Sequence, residues 1–175
     1  MTEITGMAIL AIFPICMIFA TFYDIFTMTI PNKITLVLLA SYAVLAPLVG
    51  LSLETIVWSI GIALLILAIG FALFSFGVMG GGDAKLLAAS ALWFGTAFTG
   101  EYLIYASMLG GFLTLAIVIG RSLILPESFL KVEWIMRLYD KKGGVPYGAA
   151  LGPAALIVFV DTPWMEFVTS GKLTG

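Results

Sequence analysis

Residues 55–86 read TIVWSIGIALLILAIGFALFSFGVMGGGDAKL. The segment Thr55–Gly77 carries no charge. A run of that length can cross a hydrocarbon layer of roughly 30 Å as a helix. Lipid supplies no water to a bare backbone, so an apolar span must close its hydrogen bonds internally. The run ends on Gly80-Gly81-Gly82-Asp83. A carboxylate beside lipid is unfavourable by roughly 2.5–3.5 kcal/mol at a helix centre, and by less toward the interface. An apolar helix, a bare backbone and an acid in direct succession set both the fold class and the chemistry to look for.

The rest of the chain repeats the pattern. Of 175 residues, 62% are hydrophobic and only 10% are charged, too few to give a soluble domain its polar surface. Six hydrophobic stretches stand out: Ile4–Phe22, Ile34–Gly50, Thr55–Gly77, Ala84–Thr99, Tyr102–Gly120 and Val145–Val160. They predict an all-α, polytopic membrane bundle of about six transmembrane helices, as a single domain over residues 1–175. Asn32 is placed to cap the second helix and Asp83 the fourth. Glu3, with no Lys or Arg, precedes the first run, so the sequence predicts a retained helix rather than a cleaved signal. Gly148 and Gly152 form a G-x-x-x-G, and Gly110-Gly111 lies in the fifth stretch; both mark close helix approach.

The polar connection Arg121–Gly144 holds Glu127, Lys131, Glu133, Trp134, Arg137, Leu138, Asp140, Lys141 and Lys142. With Phe129-Leu130 and Ile135 mixed in, it predicts an interfacial amphipathic helix. The net charge of −2 conceals an asymmetry. With the N-terminus outside the cytoplasm, Lys33, Lys85, Arg121, Lys131, Arg137, Lys141 and Lys142 face the cytoplasm, and Lys172 alone faces away. This orientation puts Asp24, after the first helix, and Asp83, after the third, at one cytoplasmic end of a bundle in the inner membrane. No basic tract points to nucleic acid. Cys16 is the single cysteine and reads as a small core residue.

The absence of histidine excludes H-E-x-x-H zinc chemistry and Ser-His nucleophiles. A lone cysteine without a base is a poor nucleophile. Carboxylates remain as general acid–base groups. A pair of close carboxyls shares one proton, so that one member accepts a proton from water while the other polarises a carbonyl. Gly80, Gly81 and Gly82 permit torsions closed to other residues and leave room for an extended strand over Asp83. Taken singly, Asp83 also reads as an N-cap, Asp24 as an interfacial acid, and Ile30-Pro31-Asn32 as a turn. Lys85 reads either as a snorkelling anchor or as a residue that holds substrate or tunes Asp83.

At these residues the chain resembles the type IV prepilin peptidases, a family of G-x-G-D intramembrane aspartyl proteases. Asp24-Ile25 with Ile30-Pro31-Asn32 is similar to its first motif. Gly80-Gly81-Gly82-Asp83-Ala84-Lys85-Leu86 is similar to its second, and Val145-Pro146-Tyr147-Gly148 to a third. The resemblance implies that Asp24 and Asp83 are the catalytic pair. It implies that Gly80, Gly82, Lys85, Pro31, Asn32, Pro146, Tyr147 and Gly148 shape the substrate cleft. It implies no metal and no cofactor. The expected partners are membrane lipid and a prepilin or pseudopilin, whose short basic leader is removed at the cytoplasmic face, freeing a hydrophobic N-terminal helix. The missing C-x-x-C pairs imply no methyltransferase, and the small size resembles the TadV/CpaA branch serving Flp-type pili. Archaeal preflagellin and prepilin peptidases are an alternative within the class. A small proton or cation transporter subunit using the two Asp, and a non-catalytic assembly subunit, are alternatives outside it.

Overall fold

The computed structural model describes residues 2–123, 126, 131–140 and 143–170. All seven regular elements among them are helices: α1 (Thr2–Thr27), α2 (Asn32–Leu48), α3 (Leu53–Ser75), α4 (Gly81–Gly120), α5 (Glu133–Tyr139), α6 (Gly148–Phe159) and α7 (Pro163–Ser170). The fold is all-α. By length and composition α1, α3 and α4 can each cross a membrane, and the pair α6–α7, bent by 48°, makes a fourth span.

α4 is folded back on itself. Gly95 leaves helical geometry at φ 59°, ψ −164°, a conformation open essentially to glycine alone. Beyond it Tyr102 packs on Phe94, with ring centroids 4.9 Å apart and the planes tilted by 54°. Leu103 and Ala106 line the same cavity as Leu87. Residues 81–94 and 96–120 are therefore two antiparallel arms.

The contacts fix the direction of every segment. Gly70 lies on Ala84, and Gly95 faces Ser59, so α3 runs against the first arm of α4. Asn32 meets Lys85, and the Leu38 carbonyl meets Trp93, so α2 runs with that arm. Gly148 meets Asp24 and Phe159 stacks on Phe13, so α6 runs against α1. Six helical segments thus alternate between two ends of the bundle. At the end away from Asp24, Phe13, Trp93, Phe159 and Trp164 pack together. The Trp93 indole donates to the Leu38 carbonyl at 3.0 Å, and that of Trp164 to the Trp93 carbonyl at 2.7 Å. The outside is apolar: α3 buries only Ser59, Ile66 and Gly70, and Leu64 and Phe71 are among its exposed large side chains. That surface suits lipid rather than water.

Several boundaries differ from the sequence expectation. α1 continues past Phe22 to Thr27, because nothing breaks it before Met28, at φ 56°. The N-cap of α2 is Pro31, with no side-chain cap bond; the Asn32 amide is turned to Lys85 instead. α4 starts at Gly81 with Gly80 as N-cap, so Asp83 lies inside the first turn rather than capping it. Its break falls at Gly95, while Gly100 and Glu101 stay helical. Val145 and Pro146 precede α6 rather than belonging to it. Only the short α5 carries the expected interfacial helix. Glu127, Phe129, Leu130, Lys141, Lys142 and Lys172 lie outside the described residues. α7 had no counterpart in the hydrophobic pattern.

Candidate active site

Asp24 sits in the last turn of α1 and Asp83 in the first turn of α4, at the same end of the bundle. Both are buried, with 3% and 8% of their surface exposed, although neither forms an ion pair among the described residues. What meets them is backbone. The Gly148 amide donates to Asp24 Oδ2 at 2.7 Å, and the Ala149 amide also acts on this carboxyl. The Gly148 amide lies within reach of Asp83 as well, together with the Gly80 amide and the charge of Asp24 itself. The start of α6 therefore points between the two acids. The first N–H groups of a helix have no partner within it and carry the positive end of its dipole. From the third helical position, Asp83 returns to the amide of its own N-cap, half of a capping-box arrangement.

Close approach is what the glycines supply. A Cβ on Gly148 would lie 2.9 Å from Asp24 Oδ2 and 2.8 Å from Ile30 Cδ1. A Cβ on Gly80 would lie 2.6 Å from Asp83 Oδ2. A Cβ on Gly82 would lie 3.1 Å from Ile30 Cβ. None of Gly80, Gly81 and Gly82 has a positive φ. Their contribution here is space, not the unusual torsions expected from sequence. Ile30 is wedged between Gly82 and Gly148, which gives the first residue of Ile30-Pro31-Asn32 a packing role that sequence reading missed.

The other expected residues divide into two groups. Tyr147 adjoins the acids: it caps α6, and its ring packs on Gly110. Pro146 is buried one residue earlier, and its carbonyl accepts from the Ala149 amide at 3.1 Å. Lys85 and Asn32 form a separate polar pair, Nζ to Oδ1 at 3.1 Å, on the exposed edge between α2 and α4. Pro31 starts α2 and presents no polar group to the acids.

Two further residues hold the site. Thr21 Oγ1 donates to Met17 O at 2.9 Å and reaches Gly148 O at 3.5 Å, while Gly152 packs against the same threonine. Arg121 donates to the carbonyls of Leu138, Gly143 and Gly144 at 2.7, 3.2 and 2.9 Å. One guanidinium thus gathers the chain that leads into Pro146-Tyr147-Gly148. The sequence signal for Thr21 was its place one turn before Asp24; for Arg121 there was none beyond its charge. Among the described residues no three His, Cys, Asp or Glu side chains converge as a metal site.

The arrangement buries two carboxyls at one end of the bundle, near the Gly148 amide and bare glycine backbone. The family model described as the type IV leader peptidase family matches residues 11–119, which include Asp24, Gly80–Asp83 and Lys85. No curated protein and no solved structure matches the chain.

Proposed function

Because the chain belongs to the type IV leader peptidase family, we propose that this membrane protease is an aspartyl endopeptidase with Asp24 and Asp83 as its catalytic pair. The observation that carries the reading is the burial of both acids at one end of the bundle, around the Gly148 amide. A proton or cation relay would need carboxylates spread along a path across the membrane.

The reaction follows from proton sharing. The ionised carboxyl takes a proton from a water whose oxygen attacks the scissile carbonyl carbon. The protonated carboxyl gives its proton to the carbonyl oxygen, forming a neutral gem-diol. Collapse returns one hydroxyl proton to the pair and breaks the C–N bond. The leaving nitrogen is protonated from the pair, so an amine and an acid leave and the shared proton is restored. Asp24 is oriented by Gly148, and Asp83 by its place in the first turn of α4.

The substrate we propose is a prepilin or pseudopilin of the Flp type, cut between its leader and its hydrophobic segment at the cytoplasmic face of the inner membrane. Gly80 and Gly82 leave backbone open to an extended strand. Pro146 and Tyr147 border the cleft, while Lys85, Asn32 and Pro31 stand at its α2 edge. With Cys16 as the single cysteine, proteolysis without methyl transfer is the activity proposed.

The test uses the protein purified in detergent with an Flp-type prepilin. Wild type shortens the prepilin by its leader, Asp24→Asn and Asp83→Asn each abolish this, and EDTA leaves the wild-type rate unchanged. Cleavage retained by either Asn variant would remove that residue from the mechanism.

A further inference from the structure

Two acids supplied by different helices need something to set the gap between them. Asp24 lies in the last turn of α1 and Asp83 in the first turn of α4. Residues 28–31, which connect α1 to α2, reach the supports of both.

This connector has little freedom. Its first N–H, from Met28, donates to the Asp24 carbonyl at 2.8 Å. Met28 stands at φ 56°, a conformation uncommon outside glycine and kept only where the surroundings impose it. Pro31 closes the connector at φ −62°, ψ 133°. A residue before proline is pressed into extended geometry, and that residue is Ile30. Its branched Cβ also leaves χ1 few states. The connector is thus tied to Asp24 at one end and stiff at the other.

Half-buried Ile30 lies against both acid-bearing starts. A Cβ on Gly82, the neighbour of Asp83, would lie 3.1 Å from Ile30 Cβ, 3.4 Å from its N and 3.5 Å from its O. A Cβ on Gly148, whose amide binds Asp24, would lie 2.8 Å from Ile30 Cδ1. The backbone and Cβ of Ile30 therefore rest on the start of α4, and its terminal methyl meets the start of α6. Neither glycine has a side chain that could take up a change in that distance.

We propose that Ile30 is a positioning residue, a spacer whose terminal methyl holds the start of α6 off the start of α4 and so sets the distance between Asp24 and Asp83. The inference rests on the aspartyl-peptidase reading above, in which Ile30 touches no reacting atom. Without Cδ1, Gly148 settles toward Gly82 and carries the Asp24 carboxyl with it. The acids then draw together, out of the spacing the reaction uses.

Ile30→Val removes Cδ1 and leaves the contacts with Gly82 in place. In detergent with an Flp-type prepilin it is expected to lower kcat about tenfold or more, with KM within about twofold of wild type, since a misplacement on the order of 1 Å costs about a hundredfold. Ile9→Val loses the same methyl group from a fully buried site near the far end of α1. It is expected to lower the unfolding temperature but not kcat. The spacing itself is read without activity. In a Cys16→Ala background, the Asp24→Cys/Asp83→Cys pair is oxidised with copper phenanthroline, and a disulfide needs Cβ atoms about 3.5–4.5 Å apart. Adding Ile30→Val is expected to speed that oxidation several-fold. Wild-type kcat in Ile30→Val, a raised KM in place of a lowered kcat, or an unchanged oxidation rate overturns the proposal. If the cysteine pair does not fold, the kcat and KM of Ile30→Val decide. Inactive Asp24→Asn and Asp83→Asn variants beside a fully active Ile30→Val would sink the spacer and spare the dyad. Active Asn variants would sink the dyad, and the spacer's part in cleavage with it, even where the oxidation rate moves.

Discussion

One added methyl group separates three glycines near the acids, Gly80, Gly81 and Gly148. At position 80 it would press on the Asp83 carboxyl, the free end of a short side chain. Gly80 itself is exposed, with φ −69°, ψ 142°, a conformation any residue adopts. Gly80→Ala is therefore expected to leave stability within about 0.5 kcal/mol of wild type while displacing the acid. A misplacement on the order of 1 Å reduces turnover about a hundredfold. At position 81 the methyl would meet only the Phe74 ring at 3.4 Å, so Gly81→Ala is expected to stay near wild type in both respects. Gly148→Ala is the opposite case. Its methyl would lie 3.0 Å from Asp24 Cβ, an atom fixed to the backbone of α1. α1 and α6 must part, which is expected to lower stability by about 1–3 kcal/mol and to abolish cleavage. Thermal unfolding and leader cleavage, measured on the same preparations, check all three. At this scale the acids were legible, because a carboxylate at the edge of an apolar run demands an explanation. The Gly148 amide was not, because it lies 124 residues from Asp24 and no local pattern encodes that meeting. Nor was the clasp of Arg121, whose charge reads from sequence only as an orientation signal.

Among the elements, the turn inside α4 shows how far hydropathy reaches. The expected break between Thr99 and Tyr102 followed Gly100 and Glu101, the latter being the only charged residue between Lys85 and Arg121. The observed break, five residues earlier, follows Gly95, the one glycine of α4 with a positive φ, with Ser59 Oγ 3.0 Å from where a Cβ would stand. Both apolar arms were legible; the corner between them depends on a neighbouring helix and was not. Gly95→Ala is accordingly expected to lower stability by about 1–3 kcal/mol. Gly100→Ala, at an exposed helical site with open space around it, is expected to raise it by up to about 1 kcal/mol. Equal effects at the two positions would mean that the corner is misplaced. α7 was overlooked because it is short and mixed in polarity, although Thr162-Pro163 carries the signature of a helix start with proline in the first turn. Arg121 belongs to this scale too, since it ties the end of α4 to the approach to α6. Arg121→Lys is expected to lose most of that effect, because a single ammonium cannot span three carbonyls as a planar guanidinium does. A fall of roughly tenfold in kcat, equivalent to about 1.4 kcal/mol, is the expected reading; full activity in the lysine variant would reduce Arg121 to a surface charge.

Across the whole molecule, the alternation of six segments sorts charge between the two ends. Lys33, Lys85, Arg121 and Arg137 fall at the end that holds Asp24 and Asp83, and α5 brings Lys131 with them through the contact of Trp134 with Phe26. Glu54 and Glu101 fall at the other end, beside Gly95 and the corner of α4. Apart from the Arg121 clasp and the Lys85–Asn32 bond, these cations do little to hold the fold: the ion pair Arg137–Glu133, at 3.6 Å, is largely exposed, and such pairs contribute about 0–1 kcal/mol. Their gathering at one end is better explained by insertion, which retains Lys and Arg in the cytoplasm. On that ground we propose that the acids lie on the cytoplasmic side, where a leader would still be attached to its newly made substrate. A cysteine replacing Lys33, in a Cys16→Ala background, is expected to react with a membrane-impermeant maleimide only in inside-out vesicles. One replacing Glu101 is expected to react only in intact spheroplasts. The reverse pattern would turn the bundle over and put the acids on the wrong side for leader removal, whatever activity the protein shows in detergent.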